Sequence, residues 1–178
     1  MNSKELNIIN KDDFESFFEV MKKSFPEIER RTYEGQKSLF DNEQYKVLGY
    51  KNIYNEVEAF IAYWNFEEFI FIEHFAVDEK LRGNKIGTDI LRKFLNKYSK
   101  RIILEVELPD DHISVKRVGF YNRMGFNLNN HEYLQPPLQK GMDLLPLKIM
   151  SYPEDISNED FIKMKNKVYK KVYNFEVK

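Results

Sequence analysis

The sequence predicts a mixed α/β fold in which helices flank a mostly antiparallel sheet of six to seven strands that contains one parallel pair. Three observations carry this reading. Runs rich in Val, Ile, Phe, Tyr and Trp at 45–50, 57–65 and 69–77 follow one another with polar turns between them, the pattern of an antiparallel meander. An apolar stripe at helical spacing over 86–98 then separates the third run from a strand at 101–108, and such a strand–helix–strand unit predicts a right-handed crossover between parallel strands. Finally, 178 residues with 42% hydrophobic and 15% aromatic content supply the core of one ordinary domain and rule out a disordered chain.

Taken in order, 6–9 is a short apolar run that reads as a first strand. Asp12 and Asp13 precede Phe14, Phe17, Phe18 and Met21, which share one helical face, with the acidic pair at the end the helix dipole prefers. Pro26 turns the chain, and a weaker helix is expected over 31–40. After the meander, Ile86, Ile90, Leu91, Phe94 and Leu95 define the crossover helix. Pro109-Asp110-Asp111 breaks the 101–108 strand, a helix covers 114–124, and Gly125 stops it. A strand at 126–134, a loop through Pro136, Pro137 and Gly141, and a last strand at 147–152 follow. Ser157 and Asp160 read as a capping box ahead of a terminal helix whose apolar face is Phe161, Met164, Val168 and Val172. One domain over 1–152, with an amphipathic helix from 153–178 packed on it, is the expected organisation. The lysines at 163, 165, 167, 170 and 171 form that helix's solvated face.

Charge and composition narrow the function. Lys and Arg number 28 against 29 Asp and Glu, a net −1, which removes the basic footprint of a general nucleic-acid binder. There is no cysteine, so disulfides, zinc–thiolate sites and a cysteine nucleophile are excluded. His74, His112 and His131 are spaced too widely for a helical metal motif, and no metal is expected. No purely apolar run, 69–72 included, comes near the ~20 residues that span a bilayer, and MNSKELNIIN holds no apolar signal core of ~7–15 residues. A cytoplasmic protein without nucleic-acid or membrane partners is the expectation.

The most informative segment is Val77-Asp78-Glu79-Lys80-Leu81-Arg82-Gly83-Asn84-Lys85-Ile86-Gly87-Thr88. A strand runs into a glycine-containing turn, and the turn opens a helix. Backbone N–H groups there lack helical partners, and the helix dipole adds partial positive charge. A pyrophosphate meets both needs, and Arg82 and Lys85 add full charges beside it. The segment is neither a Walker A loop nor the Gly-x-Gly-x-x-Gly dinucleotide fingerprint.

Arg82-Gly83-Asn84-Lys85-Ile86-Gly87 resembles the Arg/Gln-x-x-Gly-x-Gly/Ala signature of the GNAT superfamily of acyl-CoA-dependent N-acetyltransferases. Ile72-Glu73-His74-Phe75-Ala76-Val77-Asp78 resembles that family's central strand, and Phe120-Tyr121-Asn122-Arg123-Met124-Gly125-Phe126 resembles its later Phe-Tyr-x-x-x-Gly-Phe element. The core resemblance covers about 45–127. It implies a strand at 69–77 splayed from its parallel neighbour, with acetyl-CoA as acyl donor. The turn residues Arg82, Gly83, Asn84, Lys85, Ile86, Gly87 and Thr88 would hold the pyrophosphate, and Phe75, Ala76 and Val77 the pantetheine amides. A backbone N–H at Phe75 or Ala76 would polarise the carbonyl. Three positions depart from the family pattern. Lys85 stands where glycine is usual, so a slightly different turn is expected. Ser114, matched to the coenzyme side of its helix, stands where many members carry Asn, and Arg117 where many carry Ala.

For proton removal the candidate is Glu73, flanked by Phe71, Ile72 and Phe75 and so partly desolvated. His74 faces the other side of the strand and reads as structural. By the same resemblance Tyr121 would protonate the leaving thiolate. Without a cysteine to form an acyl-enzyme, direct attack in a ternary complex is expected. The acceptor would meet 25–33 and 133–141, where Tyr133 offers a face to a cation. The implied function is acetyl transfer from acetyl-CoA to a primary amine of a small molecule or peptide, by a monomer or homodimer. A longer acyl donor, a CoA-binding sensor without turnover, and a ligand-free structural domain are the alternatives; fold alone does not separate them.

Overall fold

A computed structural model describes residues 5–176. The strands are β1 (Asn7–Ile8), β2 (Tyr45–Lys51), β3 (Val57–Asn65), β4 (Phe69–Val77), β5 (Arg101–Glu107), β6 (Asn127–Leu128), β7 (Tyr133–Gln135) and β8 (Leu145–Tyr152). The helices are α1 (Phe14–Ser24), α2 (Tyr33–Ser38), α3 (Ile86–Lys97), α4 (His112–Arg123) and α5 (Asn158–Lys171). The strands form one eight-stranded sheet in the order β1-β2-β3-β4-β5-β8-β6, with β7 on β8. It is mostly antiparallel, with β4 and β5 its parallel pair. The chain divides into two compact units. One holds the residues up to Phe66 together with Ile72–Ser99, and the other Glu67–Phe71 with the chain from Lys100 onward.

In the first unit, β2 and β3 pair antiparallel with Val47 opposite Ala62 and a register shift after Tyr50. The α1 face foreseen from spacing is the buried one: Phe14, Phe17, Phe18 and Met21 all lie in the core. Its rings lock against the sheet and the following segment, with Phe17 4.5 Å from Phe60 and Phe14 edge-on to Phe40 at 5.5 Å. Ile90, Leu91, Phe94 and Leu95 bury the inner face of α3, where Phe94 meets Tyr63 edge-on at 4.9 Å. The expected helix over 31–40 is shorter: α2 ends at Ser38, and a tight turn covers Leu39–Asp41.

In the second unit β5 pairs antiparallel with β8, from Ile102 opposite Tyr152 to Glu107 opposite Leu147. Gly125, at φ +92°, ends α4 in the left-handed conformation glycine tolerates. The apolar run at 126–134 is not one strand, and this is what takes the sheet to eight. Asn129 interrupts it: the buried amide donates to Ser151 Oγ (2.9 Å) and Ile149 O (3.3 Å) and accepts from Ile156 N–H (2.9 Å). A side chain that satisfies neighbouring backbone groups replaces the ladder there. The capping box before α5 is half formed. Ser157 Oγ accepts from Asp160 N–H, while the Asp160 carboxylate turns to Arg101 at 3.3 Å. Phe161, Met164, Val168 and Val172 are buried as the spacing requires. On the polar side Lys163 pairs with Glu159 and Lys167 with Glu68.

Removing the Asn129 amide takes the acceptor from buried Ile156 N–H and one partner each from Ile149 O and Ser151 Oγ, which keep Asn129 N–H and Glu154 O. Asn129→Ala should therefore cost at least ~2 kcal/mol, read as a lowered urea midpoint with an unchanged m value.

Candidate active site

β4 hands the chain to α3 through a compact turn. Asp78 N–H donates to Glu58 O at 2.8 Å, and its carboxylate accepts from Lys80 N–H at 3.0 Å, capping one tight turn over Glu79–Leu81. Arg82 folds back so that its Nε donates to Val77 O at 3.1 Å, and Asn84 Nδ2 donates to Leu81 O at 3.3 Å. Gly83 then takes φ +85° and Lys85 takes φ 60°, ψ 10° as the residue before the first turn of α3. The Lys85 side chain is carried in the left-handed conformation, at a cost of roughly 1 kcal/mol.

This geometry leaves the start of α3 open. Among the described residues no side chain caps it, and the first helical bond is Asp89 N–H to Lys85 O at 3.0 Å. The amides of Ile86, Gly87 and Thr88 therefore have no helical acceptor. Space is open beside Gly83, where an added Cβ would meet nothing within 4 Å. Arg82 and Lys85 are both exposed. Free amides, a helix dipole and two cations around open space suit a diphosphate.

One feature of the cradle has no sequence signal. Asp89, in the first turn of α3, accepts from Tyr50 Oη at 2.6 Å and lies 3.2 Å from Lys93 Nζ. The Tyr50 hydrogen bond, with Lys93 beside it, holds the Asp89 carboxyl below its usual range. The sequence separation of 39 between Tyr50 and Asp89 hides the pairing from any local pattern.

Glu73 lies on β4 with its side chain only 1% exposed. Arg31 forms an ion pair with one carboxylate oxygen, and Trp64 Nε1 donates to the other at 2.8 Å. The expected partial desolvation is thus nearly complete, and both oxygens have donors. Arg31, within the expected acceptor segment 25–33, is thus bound to Glu73; a buried carboxylate requires such partners, but nothing in the spacing of Arg31 or Trp64 reveals the pairing. His74, on the opposite face, donates from Nε2 to Glu29 O at 2.7 Å and meets Phe25 edge-on at 4.7 Å. Its Nδ1 is buried with no partner among the described residues. Burial pushes the His74 pKa down, so the ring stays neutral.

Tyr121 sits in the second unit, buried edge-on against Phe120 at 5.2 Å and Phe126 at 5.6 Å. Burial pushes its phenol pKa up, Arg117 pulls it back, and Glu107 adds to the rise. Its proton is therefore firmly held at neutral pH. Ser114 is 2% exposed and serves the α4 cap: its hydroxyl donates to Asp111 O at 3.0 Å and accepts from Asp111 N–H at 3.2 Å. Tyr133, expected to offer a face to a cation, is buried, with its hydroxyl on Glu105. No group of three or more acidic, histidine or cysteine side chains suited to a metal ion occurs among the described residues, and no helix there is long and apolar enough to cross a membrane.

A mostly antiparallel sheet with one parallel pair and an uncapped helix after its central strand is the architecture of acyl-CoA-dependent acetyltransferases. The chain belongs to the acetyltransferase (GNAT) family, whose model matches residues 7–126, and it is an acetyltransferase. It is 26% identical over 132 residues to "Putative acetyltransferase YjbC" of Bacillus subtilis (strain 168), covering 70% of this chain and 68% of that one. The solved structure of a "Putative acetyltransferase from GNAT family" from Bacteroides thetaiotaomicron superposes with a TM-score of 0.88 at 29% identity, over 97% of this chain and 99% of that one. Arabidopsis thaliana NAA60, solved in complex with acetyl-CoA, shares the fold with a TM-score of 0.65 at 14% identity, over 83% and 97% of the two chains.

Two outcomes follow. Lys85→Gly relieves the left-handed strain, partly offset by unfolded-state entropy, and should stabilise the protein by up to about 1 kcal/mol in thermal melts. For His74 the sign is set by its lowered native pKa: below the ordinary histidine value of ~6.5 the unfolded chain takes up a proton that the native ring refuses. Stability should fall with pH from there down to the native pKa, by at most ~1.4 kcal/mol per pH unit. Urea midpoints from pH 7.5 to 4.5 should show this fall in wild type and a shallower one in His74→Phe.

Proposed function

We propose that the protein transfers an acetyl group from acetyl-CoA to a primary amine of a small molecule or peptide by direct attack in a ternary complex. The observation that carries this reading is the open N-terminus of α3, held by the left-handed Gly83 and Lys85 and flanked by Arg82. The fold shared with an acetyl-CoA complex supports the choice of donor.

In this reading the amides of Ile86, Gly87 and Thr88, with Arg82, Gly83, Asn84 and Lys85, bind the pyrophosphate. Backbone groups of Phe75, Ala76 and Val77 hold the pantetheine arm and polarise the thioester carbonyl; one well-aimed donor at that oxygen contributes ~3–4 kcal/mol. Ser114 lies on the coenzyme side of α4, which its hydroxyl helps to cap. Glu73 accepts the proton of the acceptor ammonium, directly or through a water, and taking it requires Arg31 or Trp64 to yield a carboxylate oxygen. Tyr121 gives its proton to the departing thiolate; burial keeps the phenol protonated until then, while making it a weaker acid.

The test is CoA release with acetyl-CoA and a panel of amines, for wild type, Tyr121→Phe and Glu73→Gln. Tyr121→Phe should lower kcat and kcat/KM together by ~100-fold or more, with acetyl-CoA affinity unchanged. Glu73→Gln should lose turnover and also stability, because it removes the charge of a buried ion pair with Arg31; rates are therefore taken below its melting temperature. Full activity in both variants removes these residues from the mechanism. No CoA release from wild type with any amine, alongside an acetyl-CoA-dependent rise in Tm, would favour the sensor.

A further inference from the structure

Within the first unit, the turn before α3 is fastened to the β2–β3 ribbon at both ends. The register of that ribbon slips after Tyr50: Tyr50 faces Ala59 and Lys51 faces Val57, which leaves Glu58 opposite neither. An irregularity of this kind re-aims side chains and takes one residue out of the ladder. Both consequences reach the turn. Glu58 O accepts from Asp78 N–H at 2.8 Å where the turn begins. The Tyr50 hydroxyl donates to Asp89 Oδ2 at 2.6 Å in the first turn of α3.

Asp89 is the acidic residue of that first turn. A carboxylate there is attracted by the positive end of the helix dipole and competes for it with an anionic ligand. In this chain it is engaged elsewhere. Besides the Tyr50 bond, Lys93 Nζ, one helical turn further on, lies 3.2 Å from the same oxygen and 5.1 Å from the centre of the Tyr50 ring. The Tyr50 side chain is buried, so its hydroxyl has a fixed place. Burial, with the Asp89 bond adding to it, pushes the phenol pKa up, and the hydroxyl stays a donor at neutral pH. We propose that Tyr50 is a positioning residue for the acyl donor: its hydroxyl holds the Asp89 carboxylate clear of the Ile86, Gly87 and Thr88 amides, so that these are left to the diphosphate. This rests on the acetyl-CoA reading above and adds to it a residue that acts through Asp89. The cradle it serves is exposed, with Arg82, Gly83 and Lys85 all open to solvent.

The experiment measures acetyl-CoA affinity by calorimetry, without an acceptor, for wild type, Tyr50→Phe, Asp89→Asn and the double variant. Tyr50→Phe removes only the hydroxyl. The released carboxylate should raise the acetyl-CoA Kd about 3- to 10-fold at low salt, and by less at ~0.5 M salt, with kcat at saturating acetyl-CoA unchanged. Asp89→Asn leaves no charge to release, so it should bind at least as tightly as wild type. Added to Tyr50→Phe, it should restore the wild-type Kd. A bond that only braced α3 would give a double variant no better than Tyr50→Phe. Should Tyr50→Phe fail to fold, as judged by urea unfolding, Asp89→Asn carries the comparison with wild type. An unchanged Kd in Tyr50→Phe, a double variant as weak as Tyr50→Phe, or weaker binding by Asp89→Asn overturns the proposal alone. A wild type that binds no acetyl-CoA overturns it together with the acetyl-CoA reading.

Discussion

The amides of Ile86, Gly87 and Thr88 impose a constraint on the turn before them. A helix start left without a side-chain cap is stable only if something else meets those N–H groups, and this turn is built to keep the chain's own atoms away. Arg82 is tied back to Val77 O and Asn84 to Leu81 O, while Gly83 and Lys85 reverse the backbone through left-handed conformations. Conformational strain at a non-glycine residue is retained where it serves a ligand clamp. In this chain the strained residue also brings an ammonium to the place where phosphate oxygens are expected.

Each unit surrounds a carboxylate with donors. In the first unit, Glu73 is held by Arg31 and Trp64, and Trp64 packs edge-on against Tyr45 at 5.5 Å, whose hydroxyl accepts from Gln36 at 2.7 Å. The segment from Arg31 through α2 is thereby tied to β2, β3 and β4. In the second unit, Glu105 gathers Tyr133, Gln135 and Tyr173 and so fixes β7 and the residues after α5 onto β5. Networks of this kind stabilise when every member is satisfied and are costly when one is not.

Periodicity carried most of the fold. Apolar spacing of three and four located the buried faces of α1, α3 and α5 because those faces are set by helix geometry alone. The alternating and apolar runs likewise located β2 through β5. It failed at 126–134, where apolar residues continue on both sides of Asn129 but the amide's bonds to Ile149, Ser151 and Ile156 break the strand. It also overestimated the capping of α5, because Asp160 finds Arg101, 59 residues away.

The sequence by itself determined the family, the order of elements up to α4 and the glycine-containing turn that opens α3, since each depends on residues close together along the chain. Lys85 shows the boundary. Its identity was legible, but whether a lysine would bend the turn or submit to a positive φ was settled by the strand and helix on either side. Tertiary structure alone decided the state of each ionisable group: Glu73 paired with Arg31 from 42 residues away, Asp89 with Tyr50 from 39, and Tyr121 shielded by its own unit's core. Burial and charge neighbours are set by distance in space, and no periodicity in the chain encodes distances between residues so far apart.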